Sequence, residues 1–114
     1  MAKKKFPPSV ETLLQSERLT LTAKRGGGML RFEVWGYELS GGGQEVTRYS
    51  MAYIHPAICH RDNGRVLGYD NAHDGHHRHC MGKVEPVEFV SYEDTVNQFT
   101  QEWQEIIAKH VRSK

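Results

Sequence analysis

The chain has 114 residues, 38% of them apolar and 25% charged, with a formal net charge of +1. That length supports one domain with one modest core, and the near-neutral balance excludes an overall field that would draw the protein to nucleic acid. Two cysteines exclude a disulfide framework, no apolar run reaches membrane-spanning length, and Phe6-Pro7-Pro8 after three lysines is not a secretory h-region. A cytoplasmic protein is the expectation.

Residues 1–31 carry seven Lys or Arg against two Glu, whereas residues 84–114 carry three against six acidic residues. Residues 1–8 read as a flexible basic tail closed by the rigid Pro-Pro step, and residues 9–114 as a single α+β domain. Ser9 can cap a short N-terminal helix with Val10, Leu13 and Leu14 on one face. Leu19, Leu21 and Ala23 then alternate with Thr20, Thr22 and Lys24, which is strand period. The run Gly26-Gly27-Gly28 makes a turn. Residues 29–39 read as a second strand, with Leu30, Phe32 and Val34 facing one way and Arg31, Glu33 and Trp35 the other. After a second glycine run, residues 44–54 form a third strand, which His55-Pro56 ends.

Asp62-Asn63-Gly64 is a turn signal, and residues 65–70 form a fourth strand. Val84, Val87, Phe89 and Val90 continue as extended chain. Ser91 caps the last element, with Asp94 at the third helical position. Val96, Phe99, Trp103, Ile106 and Ile107 follow at helical spacing. The predicted architecture is a four-stranded, mostly antiparallel sheet, a long C-terminal helix packed on one face, and a short N-terminal helix.

Between the fourth strand and the extended segment lies the least ordinary stretch. Four of the seven histidines, His73, His76, His77 and His79, fall in seven consecutive positions, with Asp70, Asp74, Arg78 and Cys80 around them. Histidine titrates near neutral pH and is the commonest metal ligand. If the chain is extended beyond Gly75, His77 and His79 project to one face, and His76 and Arg78 to the other. Cleavage of RNA needs a base for the 2′-hydroxyl, an acid for the departing 5′-oxygen, and a cation on the phosphorane. His77 and His79 are the candidate acid–base pair, Asp70 the group that orients a ring, and His73 and Arg78 further catalytic candidates. Arg65, Asn71, His76 and Arg48 are candidate substrate-binding residues. No cofactor is required by this chemistry. The alternative is a divalent metal such as zinc, held by His77, His79, Asp70 and His73, although no Cys-x-x-Cys or His-Glu-x-x-His is present. Cys80 beside His79 lacks any nucleophile signature.

Tyr69-Asp70-Asn71-Ala72, followed by His76-His77-Arg78-His79, resembles the TumE family of small prokaryotic toxins, as does the approach through Gly64-Arg65-Val66-Leu67. The similarity covers roughly residues 44–111. It implies a growth-inhibiting toxin acting on RNA and neutralised by a cognate antitoxin with a helix-turn-helix domain. A second copy of the chain is a further candidate partner, and a membrane is not. The family pattern has an arginine before the aromatic-Asp-Asn, where this chain has Gly68, so a phosphate-binding role there would pass to Arg65 or Arg78.

Overall fold

The computed structural model of the protein describes residues 11–72 and 74–111. Among these residues six strands run in chain order: β1 (Thr12–Thr20), β2 (Met29–Glu38), β3 (Gln44–Ile54), β4 (Arg65–Asp70), β5 (His77–Cys80) and β6 (Lys83–Pro86). They form one sheet in the order 1-2-3-4-5-6, each strand antiparallel to the next. Among the described residues one α-helix, α1 (Tyr92–His110), follows. The class is α+β, as expected, but the sheet has six strands where four were predicted.

The two additional strands are β5 and β6. They are joined by Met81–Gly82, both at positive φ, 52° and 86°, the backbone geometry of a tight hairpin turn whose twist matches its strands. Met-Gly is a weak sequence signal for such a turn, and the polar β5 has no apolar alternation to announce it.

No helix occurs near the N-terminus of the described residues. Thr12 onward is strand, while the proposed cap Ser9, and Val10, lie outside the described residues, as does the predicted tail. The adjacent Leu13 and Leu14, which suggested a helical face, are accommodated by a bulge. Leu13 pairs with Trp35 and Gln15 with Val34, leaving Leu14 as the extra residue. A helix of under two turns is marginal on its own, whereas the ladder with β2 pairs the segment along its whole length. The strand alternation expected for residues 19–24 stops at Thr20. Thr22 then caps a short 3-10 turn, Ala23–Arg25.

Ser91 caps α1 as the spacing predicts: its Oγ accepts from the Asp94 N–H at 3.0 Å. Phe99 and Ile107 are buried, and Val96, Trp103 and Ile106 pack around them. His110, at the same spacing, is exposed, and Val111 instead carries the apolar stripe past Ile107. The helix lies on the face carrying Met51, Tyr53, Leu67 and Tyr69, all 1% exposed or less. Phe99 meets Phe32 and Tyr69 edge-on, with centroids 5.7 and 6.4 Å away. Among the described residues no helix is long and apolar enough to cross a membrane.

Among the described residues only one face of the sheet is covered, and period-2 alternation therefore sorts the strand residues into a helix side and an open side. Phe99 is the central contact of the covered side. Phe99→Ala should lower stability by about 3–5 kcal/mol and Ser91→Ala by about 1 kcal/mol, both read from urea unfolding midpoints.

Candidate active site on the open sheet face

The register of β4 with β5 decides where the histidines go. Asp70 pairs with His77, Tyr69 with Arg78, Gly68 with His79 and Leu67 with Cys80. Tyr69 and Leu67 point to the helix, so Arg78 and Cys80 do as well. Asp70, His77 and His79 share the open face.

On that face His79 is held from both sides. Its Nε2 lies 2.7 Å from Asp70 Oδ2, and its Nδ1 lies 3.0 Å from Arg65 Nη2. A guanidinium can only donate, so Nδ1 is the acceptor and the ring proton sits on Nε2, donated to the carboxylate. Arg65 is itself positioned by Asp62, 2.7 Å from its Nε, and it lies 3.8 Å from Asp70. The side chains of Asp70, His79 and Arg65 are 15%, 14% and 21% exposed, sheltered enough for the carboxylate and the guanidinium to act on each other, and on the ring between them, more strongly than in bulk water.

Gly68 is what makes this arrangement possible. It pairs with His79, and the stem of Arg65 crosses directly over it: a Cβ at Gly68 would stand 2.8 Å from Arg65 Cδ and 3.1 Å from the Met51 carbonyl oxygen. The stem of an arginine three residues earlier thus takes the space that a side chain at this position would need. Sequence reading gave Gly68 no part in the site. The available signal was its place on a strand immediately before the aromatic-Asp-Asn, where a missing side chain leaves room for a neighbour.

Arg78 lies on the other side of the sheet. Its Nε is 3.2 Å from Glu102 of α1, and its Nη1 is 3.0 Å from Glu85. The Tyr69 hydroxyl donates to the same Glu102 oxygen at 2.7 Å. His76 also faces the helix side. It stacks on Phe89 with centroids 3.9 Å apart and shares a 2.9 Å hydrogen bond between its Nδ1 and the Tyr49 hydroxyl. Burial, and then the nearby His77, hold the His76 pKa below its ordinary value. The Tyr49 hydroxyl is pushed up to about 12 by burial and by Asp70, so it stays protonated in this bond.

Asn71 ties the end of β4 to β3, accepting from Tyr49 N at 3.0 Å and donating to the Thr47 carbonyl at 2.8 Å. Arg48 is on the open face, 4.7 Å above the Trp35 ring and 3.1 Å from Glu11. It lies on the far side of a depression lined by Glu33, Trp35, Ser50, Asp70 and Asn71. Asp70, His79 and Arg65 are therefore brought together, and His77 shares their face at the position opposite Asp70. His76 and Arg78 are turned to the helix, Asn71 is engaged by backbone, and His73 lies outside the described residues. Among the described residues no three His, Cys, Asp or Glu side chains are grouped to hold a metal ion, and the His79 lone pair that would ligate one accepts from Arg65. The four-residue metal set proposed from the sequence is not assembled by its described members.

A family model for the toxin TumE matches residues 13–107. No curated protein and no solved structure matches the chain.

The geometry makes two predictions. In nitrogen-15 NMR the wild-type His79 should show the Nε2–H tautomer, and Gly68→Val, by displacing the Arg65 stem, should remove the Nδ1 hydrogen bond and alter that resonance. His76 has a folded-state pKa below its unfolded one. Its contribution to stability is therefore complete above the unfolded pKa near 6.5 and is lost as pH falls below it toward the folded pKa. Urea midpoints measured at pH values on either side of that window should fall less on acidification in His76→Phe than in wild type.

Proposed function

The chain belongs to the TumE toxin family, which makes it the toxin component of a toxin–antitoxin pair, and we propose that it acts as an endoribonuclease working by histidine acid–base chemistry. The observation that carries this reading is His79, held between Asp70 and Arg65 with His77 on the same face of the neighbouring register position.

The roles follow from what each atom can do. Asp70 accepts the Nε2 proton of His79, which orients the ring and favours the imidazolium once it forms. Arg65 occupies the lone pair at Nδ1 while no anion is present. An RNA phosphate competes for that guanidinium, since a charge-assisted bond to phosphate is stronger than one to a neutral ring nitrogen. Moving Arg65 to the phosphate frees Nδ1 to take the proton of the adjacent 2′-hydroxyl. The 2′-oxygen then attacks phosphorus, Arg65 offsets the charge on the phosphorane, and protonated His77 gives its proton to the departing 5′-oxygen. The products are a 2′,3′-cyclic phosphate and a 5′-hydroxyl end. His79 ends protonated and His77 neutral, so one proton exchange with water resets the pair. The partner implied by the family is an antitoxin, and a helix-turn-helix protein is the expected kind. A cytoplasmic site of action accords with an RNA substrate.

Purified protein should cleave RNA in the presence of chelator, and His77→Ala and His79→Ala should each lower the rate by about 10²–10⁴-fold. Growth arrest on expression should disappear in the double variant. Retention of full cleavage by the double variant, or no cleavage by wild type anywhere between about pH 5 and 8, would overturn the reading.

A further inference from the structure

Across the open face the strand registers line up rows of side chains that run from β1 to the acid–base site, most of them unused by that chemistry. Arg18 of β1 pairs with Arg31 of β2, Arg31 with Ala52, Ala52 with Gly68, and Gly68 with His79. The next row holds Ser16, Glu33, Ser50, Asp70 and His77 in the same order. Trp35 and Arg48 follow as a further pair on β2 and β3.

Two features of this face are unexpected for a sheet that merely meets water. Like charges placed directly opposite across a strand pair destabilise it. Yet Arg18 and Arg31 stand opposite, and among the described residues neither forms an ion pair. An indole is also kept on this side, lining a depression that shares Asp70 with the histidine site. Beside the arginine pair, Ala52 and Gly68 give the row a floor almost without side chains. A second depression, lined by Arg31, Ala52, Asn63 and Arg65 among others, opens there. With strands about 4.8 Å apart, Arg31 and His79 are separated by three strand spacings, about 14 Å at the backbone, a gap that long side chains and one polyanionic strand can bridge.

Resting on the ribonuclease reading, we infer that the open face of β1–β4 is a binding track for single-stranded RNA that feeds the His77/His79 site, with Arg18 and Arg31 holding phosphates and Trp35 stacking a base. Unpaired arginines on a floor of small residues suit a charged backbone, and an aromatic platform suits exposed bases, which a duplex does not offer. Arg48 now lies over the indole and pairs with Glu11, but it is 56% exposed at its side chain, and an exposed ion pair of this kind contributes little. A base can displace it from the ring, and the guanidinium is then available to a phosphate.

The test uses an oligoribonucleotide with every 2′-hydroxyl methylated, which lacks the attacking group and therefore reports binding without cleavage. Wild type should bind it, with affinity falling as salt rises. An Arg18→Ala, Arg31→Ala double variant should lower the slope of log affinity against log salt by about 1.4, at about 0.7 per lost phosphate contact on a single strand. Tryptophan emission should be quenched on binding, the quenching should be lost in Trp35→Phe, and Trp35→Ala should weaken binding by about 5- to 150-fold. An unchanged salt slope in the double variant, quenching that persists in Trp35→Phe, equal affinity for a duplex, or no binding by wild type would each overturn the track. The last outcome would leave this face to a protein partner. Binding that behaves as stated, together with no cleavage of unmodified RNA, would instead remove the catalytic reading and leave the track standing.

Discussion

The pairing of β4 with β5 is the constraint on which the candidate site depends. It is only four residue pairs long, from Leu67 with Cys80 to Asp70 with His77. A slip of one residue would exchange the faces of every side chain on β5. His77 and His79 would turn into the aromatic layer beneath α1, and the charged Arg78 would lose Glu102. The register is thus held by the mismatch between two environments: a covered face that requires its charge to be paired, and an open face that tolerates imidazoles.

The covered side supplies the rigidity that the open side uses. A two-stranded hairpin as short as β5–β6 is marginal alone. Here it is fastened from behind by Arg78 to Glu102, by Tyr69 to the same carboxylate, and by the stack of His76 on Phe89. Each of these contacts lies one residue away in sequence from a group on the open face. The histidine-rich run therefore has two functions divided by parity. His76 and Arg78 anchor the strand to Tyr49, Phe89 and α1, while His77 and His79 are displayed. The Asn71 contacts with Tyr49 and Thr47 perform the same service at the end of β4, keeping Asp70 within reach of His79.

The β6 edge of the sheet shows how such a surface avoids pairing with other chains. β6 is short and exposed, with Lys83, Glu85 and Pro86 among its four residues, the charged and proline-bearing composition that discourages strand addition. The open face is likewise kept polar by arginines, serines and acids, so it remains available to a hydrophilic ligand without becoming an apolar patch.

Much of this was legible in the chain. The bounds of β3 and β4, the Ser91 cap and the stripe along α1 follow from alternation, turn chemistry and helical spacing, all of which are local. So does the separation of His77 and His79 from His76 and Arg78, because neighbouring residues of a strand must point to opposite faces. The N-terminal helix was misread because two adjacent leucines can signal a helical face or a bulged strand, and only the ladder with β2 distinguishes them. Two strands were missed because β5 is polar on both faces and its turn is Met-Gly. What the sequence by itself determined is which side chains travel together. Which of them meet was decided by the tertiary structure: the crossing of Arg65 over Gly68 to His79, the binding of Arg78 by Glu102, and the alignment of Arg18 and Arg31 with the histidines all depend on inter-strand register and on the side of the sheet that α1 covers. Those are set by burial summed over the whole fold, and no short window of residues contains that sum.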